Sequence, residues 1–509
     1  MAATVLPAPT VRPPAAPADP GALERALRAA VDGEVRFDAG SLAAYSTDSS
    51  NYRQVPIGVV VPRTVDAAVA AVAVCRRFGA PVLSRGGGTS LAGECTNTAV
   101  VIDWTKYVNR VEHLDVERRI ALVQPGIVLD ELNRAAGAHG LMVGPKPATH
   151  DHCTIGGMVG NNSCGSTAQA YGKTVDNIAR MEVLLYDGTR MWVGGDADRY
   201  DDVVRAGGRP AAVYRALKAL ADEYGDDIRA RYPDIPRRVS GYNLDDLLPE
   251  KGFDLARALC GSEATLVTVL RVEVRLVPVV PAKRLVVLGY PDLASAADDV
   301  PAITEHDPQL VEGMDDKVTG HERAEHRNAD AIALLPDGHA WLMVEFGGDD
   351  AEEAQRRSEP FLAAFRRDGG PAVRIFDDPA DQRALTAVRE AALGVSAWAP
   401  GQHAAWPGWE DAAVPPARLG DYLRDFQALL AEFGLASASI YGHFGQACVH
   451  SRIPFELATA RGINDFRRFV ERAARLVTDY GGSLSGEHGD GQARGALLPI
   501  MYGDRIVEA

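Results

Sequence analysis

Three glycine-rich segments constrain how the first half of this 509-residue chain can fold. Each follows a run of residues typical of a β-strand, and they span residues 85–93, 154–165 and 261–265. Glycine lets a backbone approach a bulky anion closely and turn its N–H groups toward it. Any one segment could equally form an ordinary tight turn, but three of them in one domain favour a binding site for a pyrophosphate-containing ligand.

The first of these segments, RGGGTSLAG at 85–93, does not fit a Rossmann dinucleotide site. A Rossmann fingerprint needs a strand, G-x-G-x-x-G and then a helix whose N-terminus faces the phosphate. Here the segment continues through ECTNTAVVIDW, which leads into another strand. The sequence therefore predicts another mode of phosphate binding and offers no fingerprint for a nicotinamide cofactor.

Net charge and composition narrow the classes of partner. The chain carries a net charge of −16, and its 46% hydrophobic and 24% charged residues are typical of a globular protein. Phosphate backbones and anionic lipids need a cationic face, so nucleic acid is excluded as a partner. No apolar run reaches the roughly 18 residues of a membrane span. A small anionic substrate remains open, since it needs only one or two local arginines.

The cysteines and the N-terminus predict the compartment. Residues 1–20 contain many prolines and no basic stretch before an apolar run, so we expect a disordered tail and neither a signal peptide nor an anchor. Without a CxxC pair, the cysteines indicate a reducing, cytoplasmic location, which is compatible with peripheral attachment to a membrane through an electron acceptor. The six cysteines are Cys75, Cys95, Cys153, Cys164, Cys260 and Cys448.

The order of predicted elements indicates an α+β protein of two main domains. Residues 21–278 begin with a strand, a helix capped by Thr64 and another strand, and they end in the alternating strand TLVTVLRVEVRLVP. Residues 279–500 repeat a strand followed by a long helix, which favours an antiparallel sheet covered by helices. Residues 501–509 read as the start of a further helix, so we expect a longer protein from which this chain is a piece.

Two stretches of the second domain contain candidate metal ligands. SIYGHFGQACVH at 439–450 places His443 and His450 seven residues apart, with glycines between them that allow the chain to turn. GGSLSGEHGDG at 481–491 adds Glu487 and His488. Two histidines and a glutamate suit Zn²⁺ or another first-row dication, but ordinary hydrogen-bonded histidines fit the same spacing.

Four motifs in order resemble one family. PVLSRGGGTSLAG, THDHCTIGGMVGNNSCGSTAQAYGKTVDNI, VSGYNLDDLLPEKGFDLARALCGSEATLVTV and SGEHGDG are similar to motifs of the flavin-containing D-2-hydroxy acid dehydrogenases with the vanillyl-alcohol-oxidase fold. That group includes D-2-hydroxyglutarate dehydrogenase, D-lactate dehydrogenases and the flavin subunit of glycolate oxidase. The resemblance covers about residues 35–500 and is strongest to the large bacterial type, in which an iron–sulfur region follows the flavin domain.

The resemblance implies a PCMH-type FAD-binding domain of two α+β subdomains, followed by an α+β substrate domain. No histidine lies between residues 81 and 93, where relatives with covalent flavin carry one, so we expect non-covalent FAD. The residues implied to hold FAD are Arg85, Gly86, Gly87, Gly88, Thr89 and Ser90 at the pyrophosphate, Pro147, Thr154, Gly156, Gly157, Asn161, Cys164, Gly165 and Tyr171 at the flavin ring and ribityl chain, and Glu263, Thr265 and Leu266 at the adenosine.

The resemblance also implies the reaction. A D-2-hydroxy acid loses a hydride to flavin N5, and the electrons pass to an iron–sulfur region, a quinone or an electron-transfer protein. His443, His450 and Glu487 would bind a divalent metal, with zinc expected. His488 would be the base, since a neutral imidazole with a pKa near working pH suits that task. Arg389 would bind the substrate carboxylate.

One departure from the family pattern concerns the metal. Many relatives read G-D-G-N or G-D-G-C between the two histidines, whereas this chain has Gly445, Gln446, Ala447 and Cys448. Loss of an aspartate that orients a ligand would weaken metal binding. Trp409 and Glu410 are further candidates for shaping the pocket.

Three alternative functions follow from other interpretations. A flavin-fold transferase similar to alkyl-dihydroxyacetone-phosphate synthase would use FAD without net redox change. A hydrolytic zinc site would use the histidines without flavin. A fragment that binds FAD but is inactive without the rest of a larger enzyme is the third. The identity of the 2-hydroxy acid and the oligomeric state stay open.

Overall fold

A computed structural model describes residues 19–195, 198–398 and 404–509. The predicted tail falls almost entirely on residues 1–18, which lie outside the described residues. Asp19 caps the first helix, which begins at Pro20. The first sheet has the order β1-β2-β4-β3, with β2, β4 and β3 parallel and β1 antiparallel to β2. Its elements are α1 (Pro20–Ala30), β1 (Gly33–Arg36), α2 (Ala39–Ala44), β2 (Gly58–Pro62), α3 (Val65–Arg77), β3 (Val82–Arg85) and β4 (Val100–Asp103).

A second, antiparallel sheet completes the first domain. Its order is β5-β6-β10-β8-β9, and β7 also pairs with β10. Strands β8 and β9 form a hairpin around Asp187 and Gly188. Its strands are β5 (Val111–Asp115), β6 (Ile120–Val123), β7 (Leu141–Val143), β8 (Ile178–Leu184), β9 (Arg190–Val193) and β10 (Thr268–Pro278), and its helices are α4 (Leu129–Gly137), α5 (Ile155–Asn161), α6 (Ala168–Tyr171), α7 (Tyr200–Ala206), α8 (Gly208–Arg231) and α9 (Leu255–Leu259).

The third sheet forms the second domain and confirms the predicted antiparallel sheet covered by helices. Its order is β14-β11-β13-β12-β16-β17-β15, and every pair is antiparallel. Its strands are β11 (Ala282–Tyr290), β12 (Leu310–Asp315), β13 (Ala340–Gly348), β14 (Ala372–Phe376), β15 (Asp411–Ala413), β16 (Ser439–His443) and β17 (Cys448–Arg452).

Ten helices among the described residues accompany this sheet. They are α10 (Leu293–Asp298), α11 (Val300–Thr304), α12 (Asp316–Ala324), α13 (Ala329–Ile332), α14 (Ala351–Phe365), α15 (Pro379–Val395), α16 (Leu419–Glu432), α17 (Ala460–Asp479), α18 (Gly491–Arg494) and α19 (Leu498–Glu508).

Helices on both faces explain the continuous apolar run of β13. Leu342 and Val344 belong to the same buried cluster as Phe426 of α16 and Phe469 of α17. Met343 packs on the other face with Leu385 of α15. A strand covered on both faces is apolar throughout, whereas a half-exposed strand alternates.

The predicted domain bounds can be set against these elements. Strand β10 ends at Pro278, and β11, which starts at Ala282, belongs to a different sheet. Helix α19 extends across the predicted bound at residue 500 and is broken at Gly503, where φ is +76°. The Tyr502 hydroxyl of α19 donates a hydrogen bond of 2.6 Å to the carbonyl oxygen of Ser240 in the first domain. The last helix therefore packs against both domains.

Asp315 gives a test of the fold. Its buried carboxylate caps α12 by accepting from the N–H of Val318 at 3.2 Å and from that of Ile440 at 3.0 Å. Burial raises the pKa of Asp315 to about 7, against the lowering effect of Lys317 and these hydrogen bonds. Between its unfolded pKa of about 3.9 and this raised pKa, the folded protein holds a proton that the unfolded chain has lost. Its contribution to stability therefore falls as the pH rises through this window.

We expect Asp315→Asn, which keeps a capping oxygen, to gain stability relative to the unsubstituted protein as the pH rises from 5 to 7. One titrating group changes the free energy of unfolding by at most about 1.4 kcal/mol per pH unit. Urea unfolding of both proteins at pH 5, 6 and 7 measures the difference. Parallel pH dependences for the two proteins would contradict the burial argument.

Candidate active site

A cavity of about 270 Å³ extends from the first glycine-rich segment to the histidines of the third sheet. It receives side chains from both domains. The structure brings together along its wall most of the residues named from the sequence: Arg85, Gly86, Gly87, Gly88, Thr89, Ser90, Pro147, Thr154, Gly156, Gly157, Asn161, Cys164, Glu263, Arg389, His443, His450, Glu487 and His488.

The first glycine-rich segment has the features of an anion cradle. A Cβ on Gly86 would lie 2.2 Å from Thr154 Oγ1, and one on Gly87 would lie 2.3 Å from the carbonyl oxygen of His152. Side chains are therefore excluded where the segment packs on residues 152–154. Among the described residues, no acceptor takes a hydrogen bond from the backbone N–H groups of residues 86–89, whereas the N–H of Ser90 is directed at the thiol of Cys95. Free N–H groups along the cavity fit the pyrophosphate of FAD.

Arg85 supports this segment through its own side chain. Its Nη1 donates to the carbonyl oxygen of Cys95 at 2.9 Å, and its Nη2 donates to that of Thr47 at 2.8 Å. The guanidinium is thus engaged by backbone carbonyls. Its side chain braces the loop, which differs from the direct pyrophosphate contact implied by the resemblance.

Four residues named from the sequence do not line the cavity. Tyr171 donates its hydroxyl to Gln309 Oε1 at 3.4 Å, and Thr265 bonds the carbonyl oxygen of Ser262 at 2.6 Å. Leu266 is 43% exposed. Gly165 contributes only its backbone, because its N–H donates to Glu487 Oε2 at 2.9 Å. The side chains at 171, 265 and 266 thus lie outside the lining of this cavity, and their contacts with FAD stay predictions.

Glu263 accepts hydrogen bonds from the glycine-rich turn that carries Glu487 and His488. Its Oε1 accepts from the N–H of Asp490 at 2.8 Å, and its Oε2 accepts from that of Gly491 at 3.0 Å. Burial, followed by the nearby charge of Asp490, raises the pKa of Glu263 to about 7. The carboxylate is committed to the turn, so its predicted contact with adenosine is not what this geometry favours.

The hairpin of β16 and β17 brings His443 and His450 together. Tyr441 pairs with His450 and His443 pairs with Cys448, and Ala447 takes a left-handed conformation with φ of +52° between the strands. The two imidazole rings lie 5.1 Å apart at 89°. A strand, a turn and a strand thus make two histidines seven residues apart converge.

The turn that carries Glu487 and His488 is held by Asp411 at the start of β15. Asp411 Oδ2 accepts from the N–H groups of Gly486 at 2.7 Å, Glu487 at 2.7 Å and His488 at 3.2 Å. Arg494 Nη2 lies 3.0 Å from Asp411 Oδ1. A buried carboxylate surrounded by backbone N–H groups fixes the turn and aims both side chains into the cavity.

Glu487 is the centre of the cluster. Its Oε1 lies 3.3 Å from His443 Nε2, 3.5 Å from His450 Nε2 and 3.4 Å from His488 Nε2. Burial opposes ionisation, but His443, His488 and Arg237 outweigh it and hold the pKa of Glu487 well below its usual value. Three imidazoles around one carboxylate oxygen form a compact set of nitrogen and oxygen donors.

Glu312 and Arg389 extend the cluster on the Nδ1 side of His443. Glu312 Oε1 lies 2.7 Å from His443 Nδ1, and Glu312 Oε2 lies 2.8 Å from Arg389 Nη2. The guanidinium of Arg389 also lies 4.9 Å above the ring of Tyr441. Burial lowers the pKa of His443, but Glu312 and Glu487 outweigh burial and raise it, so the protein groups alone favour a protonated ring. Because Glu312 engages Nδ1, Nε2 is the nitrogen that would face a cation bound beside Glu487.

The donor set fits a divalent metal. His443, His450 and Glu487 place one ligand atom each within 4.8 Å of the others. Burial, reinforced by the charge of His488, keeps the pKa of His450 well below its usual value, so its ring is neutral. Neutral imidazole nitrogens and a carboxylate oxygen are the donors that Zn²⁺ and related dications prefer.

His488 departs from the expected neutral base. Its Nδ1 lies 3.3 Å from Glu410 Oε1. Burial lowers its pKa, but Asp411, Glu410 and Glu487 outweigh burial and raise the pKa to about 10. The protein groups alone therefore favour an imidazolium. A bound dication among the neighbouring ligands would act in the opposite direction, since a nearby positive charge disfavours a second one.

Arg452 lies two residues after His450 on the same face of β17, because side chains alternate along a strand. It is 5% exposed, its Nε has no partner, and no hydrogen bond or ion pair with any described residue involves its side chain. Buried guanidinium groups are normally paired. An unpaired guanidinium on the strand that carries His450 is therefore a candidate anion-binding group, although Arg452 is not among the residues that line the cavity.

Sequence reasoning missed most of the supporting residues. Glu410 was a candidate through the WPGWEDAAVP stretch, and it proves to contact both His488 and Arg494 Nη2, the latter at 2.5 Å. Trp409 is part of the core instead, at 1% exposure. Glu312, Arg237 and Asp411 carry no local signal, since each is an ordinary charged residue in a strand or loop.

None of the described helices is long and apolar enough to cross a membrane.

Comparison with protein families assigns both domains. Residues 56–194 match the FAD binding domain, and residues 280–509 match the C-terminal domain of FAD linked oxidases. The chain is 31% identical over 502 residues to a D-2-hydroxyglutarate dehydrogenase of Pseudomonas putida, which covers 95% of this chain and 49% of the relative. It is 26% identical to the glycolate oxidase subunit GlcD of Bacillus subtilis, over 94% of this chain and 91% of the relative.

The chain spans about half the length of the D-2-hydroxyglutarate dehydrogenases that it matches. Among solved structures, p-cresol methylhydroxylase with substrate bound is similar with a TM-score of 0.66 at 13% identity, over 94% of this chain and 91% of that one. Alkyldihydroxyacetonephosphate synthase is similar with a TM-score of 0.61 at 16% identity, over 93% and 81%. Identities this low establish the fold alone. The two matched domains stand in this order along the chain, an FAD binding domain followed by the C-terminal domain of FAD linked oxidases.

Proposed function

We propose that this chain is the flavin-bearing part of a dehydrogenase that oxidises a D-2-hydroxy acid, of the D-2-hydroxyglutarate or D-lactate class, to the 2-oxo acid. The proposal rests on one observation above all. Glu487 Oε1 lies within 3.5 Å of three imidazoles on the wall of the cavity that begins at the glycine cradle. The names of the relatives support the substrate class.

FAD would be held by the N–H groups of residues 86–89 and would accept the hydride from the substrate Cα. A divalent cation held by His443, His450 and Glu487, zinc being the metal expected, would lower the pKa of the substrate hydroxyl. His488 would take the hydroxyl proton at Nε2, since Glu410 holds its Nδ1. The electrons would leave to an iron–sulfur region, a quinone or an electron-transfer protein.

The ion pairs around Glu487 favour an anionic substrate once a cation is bound. With the imidazoles counted as neutral and the unpaired Arg452 left out, the buried carboxylates of these pairs exceed their guanidinium groups by one, which leaves one negative charge. A bound dication would turn this balance positive by one, and a substrate carboxylate would then neutralise it. The groups counted are Glu312, Glu410, Asp411 and Glu487 against Arg237, Arg389 and Arg494.

Two arginines would each bind a carboxylate: Arg389 on the wall of the cavity, and Arg452, which lies outside that lining but on the same strand as His450. Arg389 lines the cavity, and its Nε has no partner among the described residues although Glu312 engages its Nη2. Arg452 has no partner at all there. One guanidinium for the carboxylate next to the hydroxyl and a second for a distal carboxylate would favour a dicarboxylic substrate over a monocarboxylic one.

The reaction can be tested by an anaerobic screen of the FAD-loaded protein. We expect D-2-hydroxyglutarate or D-lactate to bleach the flavin absorbance near about 450 nm, because hydride transfer reduces the ring. The L-enantiomers serve as matched controls and should leave the absorbance unchanged. A protein that takes up FAD but is bleached by none of the D-2-hydroxy acids would refute the proposed substrate class.

His488→Ala should keep FAD bound but slow flavin reduction by roughly two to four orders of magnitude, the usual contribution of a general base. Stopped-flow measurement of the reductive step gives the rate. His339→Ala is the control, since His339 is an exposed histidine of the same domain whose side chain is 74% accessible. Equal rates in both variants would remove His488 from the mechanism.

Arg452→Gln should discriminate between substrates. If Arg452 binds a distal carboxylate, KM for D-2-hydroxyglutarate should rise about 10- to 100-fold, the range for a lost hydrogen bond to a charged group, while KM for D-lactate stays within a factor of two. Arg475→Gln on the exposed face of α17 is the matched control. An equal rise for both acids would place Arg452 outside the distal subsite.

A further inference from the structure

Gln446 occupies the position at which the sequence lacks the expected aspartate, and both ends of its side chain are engaged. It ends the short 3-10 turn between His443 and β17. Its Oε1 accepts from Arg237 Nε at 2.6 Å, and its Nε2 donates to the carbonyl oxygen of Ala168 at 3.3 Å. Gln446 therefore holds the guanidinium of Arg237 in one orientation.

Arg237 in turn orients the carboxylate of Glu487. It has no exposed surface, and its Nη1 donates to Glu487 Oε2 at 2.6 Å. Its Nη2 donates to the carbonyl oxygen of Gly165, whose own N–H donates to Glu487 Oε2. Oε2 thus accepts from two donors of the first domain and also lies 3.3 Å from His443 Nε2. Oε1 is the oxygen that lies within 3.5 Å of all three imidazoles.

The same contacts set the charge at Glu487. An acidic residue at 446 would share the positive charge of Arg237, but the amide of Gln446 is neutral. Glu312, another buried carboxylate of the cluster, is paired with Arg389 at 2.8 Å. The charge of Arg237 is therefore offset chiefly by Glu487, which lowers the attraction of this carboxylate for a cation.

We propose that Gln446 and Arg237 are positioning residues that together set the affinity of the His443, His450 and Glu487 cluster for a divalent cation. Arg237 holds Glu487 through Oε2, which leaves Oε1 as the oxygen near all three imidazoles, and the neutral Gln446 leaves the charge of Arg237 to be offset by this carboxylate. This inference rests on the metal site of the proposed function. It adds that this chain binds the cation less tightly than it would with an acid at position 446.

The test compares two substitutions of nearly equal size. Gln446→Glu adds a carboxylate against Arg237, which stabilises its ionised form, and Gln446→Met keeps the length without an acceptor. We expect Gln446→Glu to lower Kd for Co²⁺ about 10-fold and Gln446→Met to raise it about 10-fold, the scale typical of groups that orient metal ligands. Co²⁺ is titrated into FAD-loaded protein cleared of metal with a chelator. Its visible absorption and equilibrium dialysis give Kd.

Gln355→Glu on the exposed face of α14 is the control for net charge and should leave Kd unchanged. The flavin spectrum and the thermal midpoint without metal report whether the fold is intact. A merely structural role would move the midpoint in both variants, but it would not tighten binding in Gln446→Glu.

The outcomes separate this inference from the proposed function. Equal Co²⁺ affinities at position 446 overturn the inference, while flavin bleaching by a D-2-hydroxy acid would keep the function. Absence of Co²⁺ binding in both the unsubstituted protein and Gln446→Glu overturns the inference and the metal site together. The inference is supported if Kd for Co²⁺ is lowest with glutamate at position 446, intermediate with glutamine and highest with methionine. This result would hold whichever substrate the enzyme takes.

Discussion

One carboxylate oxygen organises the site. Asp411 Oδ2 accepts three successive backbone N–H groups, those of Gly486, Glu487 and His488. Three donors converging on one buried anion fix the path of a glycine-rich turn that would otherwise have many conformations. The side chains of Glu487 and His488 therefore leave the turn in defined directions. All of the chemistry proposed for the cavity depends on those two directions.

The same turn joins the two domains. Asn161 Nδ2 donates to the carbonyl oxygen of Glu487 at 2.8 Å, and Glu263 accepts from the N–H groups of Asp490 and Gly491. Both of these partners lie in the glycine-rich segments of the FAD-binding domain. A segment of the second domain is thus held by the loops that would hold the flavin. Direct hydrogen bonds therefore fix the position of Glu487 and His488 relative to the loops that would hold the cofactor.

The sequence could predict those features of the site that a short local pattern encodes. The hairpin of His443 and His450, the turn at 485–491 and the glycine cradle are each contained within about a dozen residues, and the structure brings them to one cavity. The partners Glu312, Arg237 and Asp411 come from 131, 250 and 76 residues away from the groups they contact. No periodicity marks such residues, because a buried ion pair is defined by tertiary packing. The position of Leu266 depends on a local turn: Glu263 and Ala264 take left-handed conformations, and the Leu266 side chain that follows is left exposed, outside the lining of the cavity.

At Gln446, the family pattern indicates only that an aspartate is missing, whereas the structure shows which contacts the glutamine makes. From the sequence, a missing aspartate predicts a weaker ligand orientation. The structure replaces that expectation with a specific arrangement, in which orientation is kept by Arg237 while charge is what changes. Orientation and charge are separable, since an amide and a carboxylate can accept the same hydrogen bond but differ by one unit of charge. Position 446 can therefore tune the affinity of the cluster for a cation without moving any of its ligands.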